Sequence, residues 1–290
     1  MKSLTIFTPT YNRAYILIQL YNSLKFQTSK DFVWLIVDDG STDNTTELVE
    51  KWIIENLIEI EYYKQENSGK SMAHNKGVEL TKTELFTCVD SDDFLTSTAV
   101  DDVLKCWGSK NKMGIVGILA YKGLPNGKIL TSMKKTSIEL TTLKAAYAKH
   151  GLRGDTMLIF KTNILSKYKF PKFKDEKFVP EAYLYDLIDR DGELFMLRKV
   201  LYYCEYLDDG YTKNMAKLLI ENPNGYLAYI KQRLILNINL KDKILDTIRY
   251  TAICIASREK GYIRKSIYPI ITILTLPIGY IYYMQRYKNL

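Results

Sequence analysis

The residues with the densest chemistry in this 290-residue chain are Asp90-Ser91-Asp92-Asp93, directly after the apolar run Leu85 to Val89. Three carboxylates within four residues repel one another unless a cation lies among them. Hard oxygen donors at a strand end suit Mg²⁺ or Mn²⁺, ions that share their coordination shell with substrate phosphates. A solvated acidic turn, with Asp93 or Ser97 capping the next helix, is the plainer reading of the same residues. A second pair, Asp38-Asp39, ends the apolar run Phe32 to Val37, and turn chemistry is again the plain alternative. A third polar stretch, Gln65 to Gly77, brings Ser68, Gly69, Lys70 and Asn75 to the entry of a helix, a surface suited to phosphate. Its spacing does not fit G-x-x-x-x-G-K-[ST], so it is not a P-loop. His74 within it reads as structural.

These groups converge only if the chain alternates strand and helix. Leu4 to Thr8 reads as a strand, Pro9 to Arg13 as a turn, and about Ala14 to Gln27 as a helix with an apolar stripe. Phe32 to Val37 is apolar on both faces, as a central parallel strand should be. Gly40 then permits a tight turn, and Ser41 or Thr42 can cap a helix to about Glu55. Ile58 to Lys64 and Leu85 to Val89 complete the alternation. The reading is a layered, largely parallel α/β sheet with three acidic or polar strand ends on one rim. Beyond residue 96 we expect strands at Ile115 to Tyr121, Thr156 to Phe160 and Leu194 to Tyr206, with a hairpin partner from Lys128. A helix opens at Pro180, and Asp208-Asp209-Gly210 turns the chain away. Asn222-Pro223 caps a helix to about Leu236, and Leu240 to Lys260 forms another, ended by Gly261.

The chain then carries an uncharged run from Ser266 to Gln285, with Arg264-Lys265 before it and Arg286 after it. Its length is that of a membrane span, but Pro269, Pro277 and Gly279 interrupt it and basic residues flank both ends. We expect an interfacial or re-entrant attachment, with a docked helix as the alternative.

Composition is that of a globular protein, 47% hydrophobic and 26% charged, which argues against disorder. The net charge of +8 is uneven. Residues 1–110 carry 11 Lys/Arg against 17 Asp/Glu, whereas residues 111–200 carry 17 against 9. An acidic first part beside basic later parts suits a metal site followed by surfaces that meet anionic partners. No helix-turn-helix, zinc-finger or RNP-type signature accompanies the charge, so nucleic acid is not the expected partner. The four cysteines are widely spaced and form no C-x-x-C pair, which speaks for buried thiols in a reducing compartment. The first strand begins almost at once, so no signal peptide is expected.

The segments Thr8 to Arg13, Val37 to Asp43, Asn67 to Gly77 and Asp90 to Asp93 occur in the order and spacing of family 2 glycosyltransferases. The chain resembles the GT-A type members that build bacterial capsule, exopolysaccharide or O-antigen, closely over residues 3–96 and more loosely to about 210. One departure is His74, where that family more often has Arg. The resemblance implies a GT-A domain over 1–212, with a nucleotide-binding half at 1–96 and an acceptor half at 97–212. Residues 213–290 would be a helical, membrane-associating extension. It further implies a nucleotide-sugar donor, expected to be a UDP-sugar, and Mn²⁺ or Mg²⁺. Pro9 and Tyr11 would line the nucleotide pocket, Asp39 with Asp38 adjacent would hold the base, and Lys70, Asn75 and Ser91 would join the donor site. Asp90 would face the ribose or the metal, and Asp92 the metal directly.

Glu181 would be the general base that deprotonates the acceptor in an inverting transfer. The usual Glu-Asp pair is here Glu181-Ala182, so Asp186 is the reserve candidate, and a capping role is the alternative for Glu181. The acceptor would be a lipid-linked saccharide, and the enzyme cytoplasmic and peripheral at the inner face of the cell membrane, against an anionic surface. A homo-oligomer stays open. Two rivals remain: a catalytically silent glycosyltransferase-like scaffold, which the intact Asp90 to Asp93 motif opposes, and a nucleotidyltransferase. The latter needs a glycine-rich basic loop where Pro9 to Arg13 stands.

Overall fold

The computed structural model describes residues 2–110, 113–135, 137–204, 211–237, 239–288 and 290. The chain divides into two compact units, one of residues 1–169 with 184–207, the other of residues 170–183 with 208–290. The expected turn at Asp208 to Gly210 lies outside the described residues.

The first unit opens with alternating strands and helices: β1 (Leu4–Thr10), α1 (Leu17–Lys25), β2 (Phe32–Asp38), α2 (Thr45–Glu55), β3 (Ile60–Lys64), α3 (Lys70–Leu80) and β4 (Leu85–Cys88). There follow β5 (Phe94–Leu95), α4 (Ala99–Lys110), β6 (Ile115–Gly123), β7 (Ser132–Met133), β8 (Leu140–Thr141), α5 (Leu143–Lys149), β9 (Leu152–Arg153), β10 (Thr156–Lys161) and α6 (Thr162–Leu165). Helix α7 (Ala182–Ile188) straddles the division between units, and β11 (Glu193–Tyr203) returns to the sheet. The main sheet runs β3-β2-β1-β4-β10-β6-β11-β5, with β8 on β11. β3, β2, β1 and β4 are parallel, and β11 is parallel to β6, whereas β10, β5 and β8 run antiparallel to their neighbours. This is the mixed, mostly parallel layered sheet of a GT-A-like fold.

β1 and β2 are buried along their whole length, which explains their unbroken apolar runs. Against one face, Tyr21 of α1 stacks on Trp52 of α2 at 4.3 Å between centroids, and both stack on Trp34 of β2. Each such ring, once buried, contributes roughly 1.5–3 kcal/mol. Two polar tips in this cluster find side-chain partners: the Tyr21 hydroxyl donates to Glu55 and the Trp34 indole N–H to Thr8. α3 lies so close to β1 that a Cβ on Gly77 would meet the Phe7 ring at 2.4 Å. His74, one turn earlier, sets its ring edge-on to Phe7 and Phe86, the structural role read from the sequence.

Several local expectations are corrected. α1 starts at Leu17 rather than Ala14, after a tight turn in which the Ile16 amide donates to the Arg13 carbonyl. Neither Ser41 nor Thr42 caps α2; the Asp43 carboxylate instead receives the Thr45 amide and hydroxyl. The stretch from Lys128 does fold back on β6, the Leu124 amide donating to the Lys128 carbonyl and the Leu130 amide to the Lys122 carbonyl, but its pairing is one bridge, Gly123 to Ile129, and not a full strand.

The second unit holds α8 (Tyr211–Glu221), α9 (Pro223–Leu236), α10 (Leu240–Ala256), α11 (Tyr262–Lys265) and α12 (Pro269–Arg286). α10 thus stops short of Lys260. Its core gathers Phe178, Leu219, Tyr226, Ile230, Leu234 and Ile253. Asn222 does not cap α9 with its side chain. Its carbonyl oxygen accepts from the Lys177 and Phe178 amides, while Glu176 accepts from the Asn224 and Gly225 amides. These bonds strap segment 170–183 onto α9. Buried Asp246 is neutralised by Arg233 at 2.8 Å and Arg249 at 2.7 Å, and takes a further bond from Asn237.

Candidate active site

The carboxyl ends of the parallel strands lie at one level. Thr10 stands opposite Asp38, the Asp39 amide donates to the Thr10 carbonyl, and the Val89 amide donates to Phe7. Two turns are laced together above this rim. Asn12 adopts φ +53°, and its side-chain oxygen accepts from the Thr42 amide at 2.8 Å, while its own amide donates to the Ser41 hydroxyl. Asp43 reaches back to accept from the Ala14 amide. Pro9 is buried at the strand end, whereas the Tyr11 ring beyond it is 47% exposed on the rim.

The first acidic pair is held by hydrogen-bond donors. Asp38 is fully buried: one oxygen accepts from the Ser41 amide at 2.7 Å and the other from the Tyr62 hydroxyl at 2.6 Å. Burial and that bond to Asp38 push the Tyr62 phenol well up. Asp39 is the hub of the loop before α3. Its Oδ1 accepts from the Gln65 side chain and the Ser68 amide, and its Oδ2 from the Gly69 amide at 2.7 Å. Gly40 between them has φ +86°, and a Cβ there would press on the Asn67 amide at 2.9 Å.

The Asp90 to Asp93 turn is balanced by cations. Lys70, the first residue of α3, sets its Nζ 2.6 Å from an Asp90 oxygen. Crowding by protein pushes the Asp90 carboxyl up, but Lys70 and Lys122 together outweigh this and hold it below the usual range. Asp92 goes the other way: burial and the neighbouring Asp90 charge push it up, against weaker opposing influences from Arg13 and Lys70. Ser91 is buried between them, and half-buried Asn75 sits on α3. Among the described residues no group of three His, Cys, Asp or Glu converges as a closed metal centre. Asp90 and Asp92 can still hold a hard divalent ion, because a dication beside them would relieve the charge that raises Asp92. Its remaining positions would go to phosphate oxygens and water, as Mg²⁺ prefers.

Two contributors escaped the sequence reading. The Tyr202 hydroxyl on β11, fully buried, donates to the Asp93 carboxylate at 2.7 Å and accepts from the Asp90 amide at 3.1 Å. It pins both ends of the acidic turn. Lys122 on β6 lies 3.8 Å from the centre of the Tyr202 ring, a cation–π contact that carries its charge towards Asp90. Cys204 sits near the same charges, but burial lifts its thiol to about 12, so it stays protonated at neutral pH and serves in packing.

The remaining sequence candidates are described by unit. Glu181 belongs to the second unit and is exposed, in the strapped segment just before α7. That segment is held by the Gln232 side chain, which donates to the Tyr183 carbonyl. Asp186 belongs to the first unit, half-buried on α7, next to Tyr185, whose ring packs on Phe160. The structure thus brings together Asp38, Asp39, Lys70, Asp90 and Asp92, along with Tyr202 and Lys122.

Comparison with known proteins bears on the family and the fold. The family model described as "Glycosyl transferase family 2" matches residues 5–169. The poly(ribitol-phosphate) beta-N-acetylglucosaminyltransferase TarP of Staphylococcus aureus is 23% identical over 80% of this chain and 71% of its own length. The GalNAc(5)-diNAcBac-PP-undecaprenol beta-1,3-glucosyltransferase of Campylobacter jejuni is 23% identical over 80% of this chain and 74% of its own. Other relatives are longer: the chain covers 18% of a glycosyltransferase from Rickettsia conorii. Among solved structures, S. aureus TarS 1-349 in complex with UDP-GlcNAc superposes with a TM-score of 0.61 at 17% identity, covering 99% of this chain and 89% of that one. The mannosyltransferase PcManGT of Pyrobaculum calidifontis, in complex with GDP-Man and Mn²⁺, gives 0.56 at 12% identity, covering 98% and 81%. With the family model spanning more than half of the sequence and the acidic rim in place, this chain belongs to glycosyl transferase family 2.

Proposed function

We propose that the protein transfers a sugar, with inversion, from a UDP-sugar to a hydroxyl of a lipid-linked saccharide in bacterial surface polysaccharide synthesis, using Mn²⁺ or Mg²⁺. The carrying observation is the Asp90 to Asp93 turn, where Lys70, at the N-terminus of α3, lies 2.6 Å from Asp90 while burial and the adjacent carboxylate raise Asp92. A helix start beside a lysine favours the diphosphate. Pro9 and Tyr11 wall the base, and Asp39, with Asp38 fixed behind it, takes a base N–H on the acceptor capacity left at Oδ2. Lys70, Asn75 and Ser91 line the diphosphate and ribose. Held by Asp92 and Asp90, a divalent ion would offset the charge that builds on the leaving diphosphate. Glu181 accepts the proton of the attacking hydroxyl, with Asp186 in reserve, and direct displacement needs no covalent sugar intermediate.

The donor is supported by the UDP-GlcNAc bound in the TarS complex, and the acceptor by the undecaprenol-linked saccharide in the name of the Campylobacter relative. Such an acceptor places the enzyme peripherally at the inner face of the membrane. Residues 1–96 would bind the nucleotide, residues 97–212 the acceptor, and residues 213–290 would form the attached helical extension. The test is a donor screen by nucleotide release, with and without Mn²⁺, paired with Glu181→Gln. UDP should appear only with a divalent ion, and Glu181→Gln should lower transfer by roughly 10²–10⁴-fold while donor binding persists. Full turnover in excess chelator would end the metal role. An active Glu181→Gln beside an inactive Asp186→Asn would move the base to Asp186.

A further inference from the structure

Helix α12 is patterned in reverse. A helix on a water-soluble domain turns aliphatic side chains inward and hydroxyls outward. Here Thr272, Thr275 and Gly279 are the buried residues. Gly279 lies so close to α10 that a Cβ would meet the Thr251 methyl at 2.6 Å. The inward hydroxyls are satisfied within the helix, Thr272 donating to the Tyr268 carbonyl and Thr275 to the Ile271 carbonyl. The opposite face, roughly 140° of the helix at 100° per residue, carries Ile270, Ile273, Leu274, Ile278 and Ile281, all between 52% and 74% exposed. A continuous aliphatic face of this kind marks an interaction surface.

The charges around it select the occupant. Arg264 and Lys265 precede the helix, Arg286 and Lys288 close it, and no acidic residue follows Glu259. Glu259 itself is paired with Lys265. Two copies meeting through this face would bring cationic ends together, whether the helices ran parallel or antiparallel, with no carboxylate to separate them. An anionic lipid surface suits both features, taking the aliphatic face at the acyl boundary and the cations at the headgroups. The geometry is that of a helix lying in the plane: no helix among the described residues is long and apolar enough to cross a membrane. Pro277, inside the helix and on the outward face, leaves the Ile273 carbonyl without its helical amide, and at the headgroup boundary water can supply that bond.

We infer that the outward face of α12, Ile270/Ile273/Leu274/Ile278/Ile281 with the flanking Arg264, Lys265, Arg286 and Lys288, seats flat on an anionic leaflet. The inference deepens the proposed function by naming the surface that meets the membrane, and rests on it only for the leaflet's identity. The test uses the full chain in flotation with phosphatidylcholine vesicles, with and without phosphatidylglycerol, beside the double variant Ile270→Glu/Leu274→Glu. Both positions are solvent-facing, so the variant should keep the wild-type Tm and its UDP release with a water-soluble acceptor. The wild type should float with the anionic vesicles at low salt, and the variant should bind at least tenfold more weakly. Equal binding by wild type and variant, or a wild-type chain that stays with the supernatant, would overturn the inference. So would a wild-type dimer, seen by light scattering, that the variant abolishes without any vesicle binding, since the occupant would then be a second copy. If vesicle binding behaves as stated but no sugar donor is turned over, the proposed function fails and the docking face stands.

Discussion

Two acidic turns lie on the same rim, and the protein treats them in opposite ways. Asp38 and Asp39 end β2 chiefly among N–H and O–H donors from Ser41, Tyr62, Gln65, Ser68 and Gly69, with Lys64 no nearer to Asp38 than 4.0 Å, so their charges are spent mainly on fixing loops. Asp90 and Asp92 follow β4 with a cation in close contact: Lys70 lies 2.6 Å from Asp90 and, with Lys122, biases it downward, while burial and the Asp90 charge leave Asp92 raised. A carboxylate satisfied by fixed dipoles builds a pocket. A carboxylate balanced by ammonium groups can exchange them for another cation. In sequence both turns are aspartates after an apolar strand, and the difference exists only once the loops are folded.

The comparison can be broken from the second turn first. Asp92→Asn keeps the shape and removes the charge, and we expect sugar transfer to fall by roughly 10²–10³-fold, the scale of one lost electrostatic stabiliser, with Tm unchanged. If Asp39→Asn had the same effect, the two turns would not differ as described. We expect Asp39→Asn to act on binding: three donors lose a carboxylate, worth about 1–3 kcal/mol, and the donor KM should rise while kcat changes little. Tyr202→Phe probes how the second turn is positioned. It strips one donor from buried Asp93 and one acceptor from the Asp90 amide, so the Mn²⁺ concentration for half-maximal rate should rise about tenfold, with a smaller effect on kcat at saturating ion. A purely structural role would lower Tm and leave the Mn²⁺ requirement where it was.

The smallest effect belongs to Asp43, which laces the first turn. Burial pushes its carboxyl up, but bonds from Thr45 and Ala14 outweigh this and hold it below the usual range. A lowered folded-state value means that its contribution is complete above the unfolded-state value of about 3.9 and is lost as pH falls through the folded-state one. Asp43→Asn should therefore lower Tm by about 2–4 °C at neutral pH, and the gap should close in acid. A gap that widened in acid would contradict the assignment.

Much of the rim was legible in the sequence because parallel strands buried on both faces leave long apolar runs, and the aspartates at their ends stand out. The elements β1, β2, β3 and β4 fall close to where the runs place them. Boundaries were less legible where a side chain served a distant amide. Asn222 has the local chemistry of a cap yet bonds Lys177 and Phe178, 45 and 44 residues away. Tyr202 was hidden for the same reason: its partner amide at Asp90 is 112 residues earlier, and nothing within Leu201 to Cys204 marks one tyrosine among several. In α12 the uncharged run was visible, but the face it would bury was not. Close approach to α10 at Gly279 selected threonines over isoleucines for the interior, against the usual order of hydrophobicity.

We propose that a divalent ion and the donor diphosphate meet at the Asp90–Asp92 turn. The most direct measurement is the affinity for UDP by calorimetry, with and without Mn²⁺, for the wild type and for Asp92→Asn. Mn²⁺ should tighten UDP binding in the wild type by roughly 5–150-fold, the usual range of coupling between two ligands, and Asp92→Asn should abolish this gain. UDP binding that is indifferent to Mn²⁺ in the wild type, or a gain that survives intact in Asp92→Asn, would contradict this proposal.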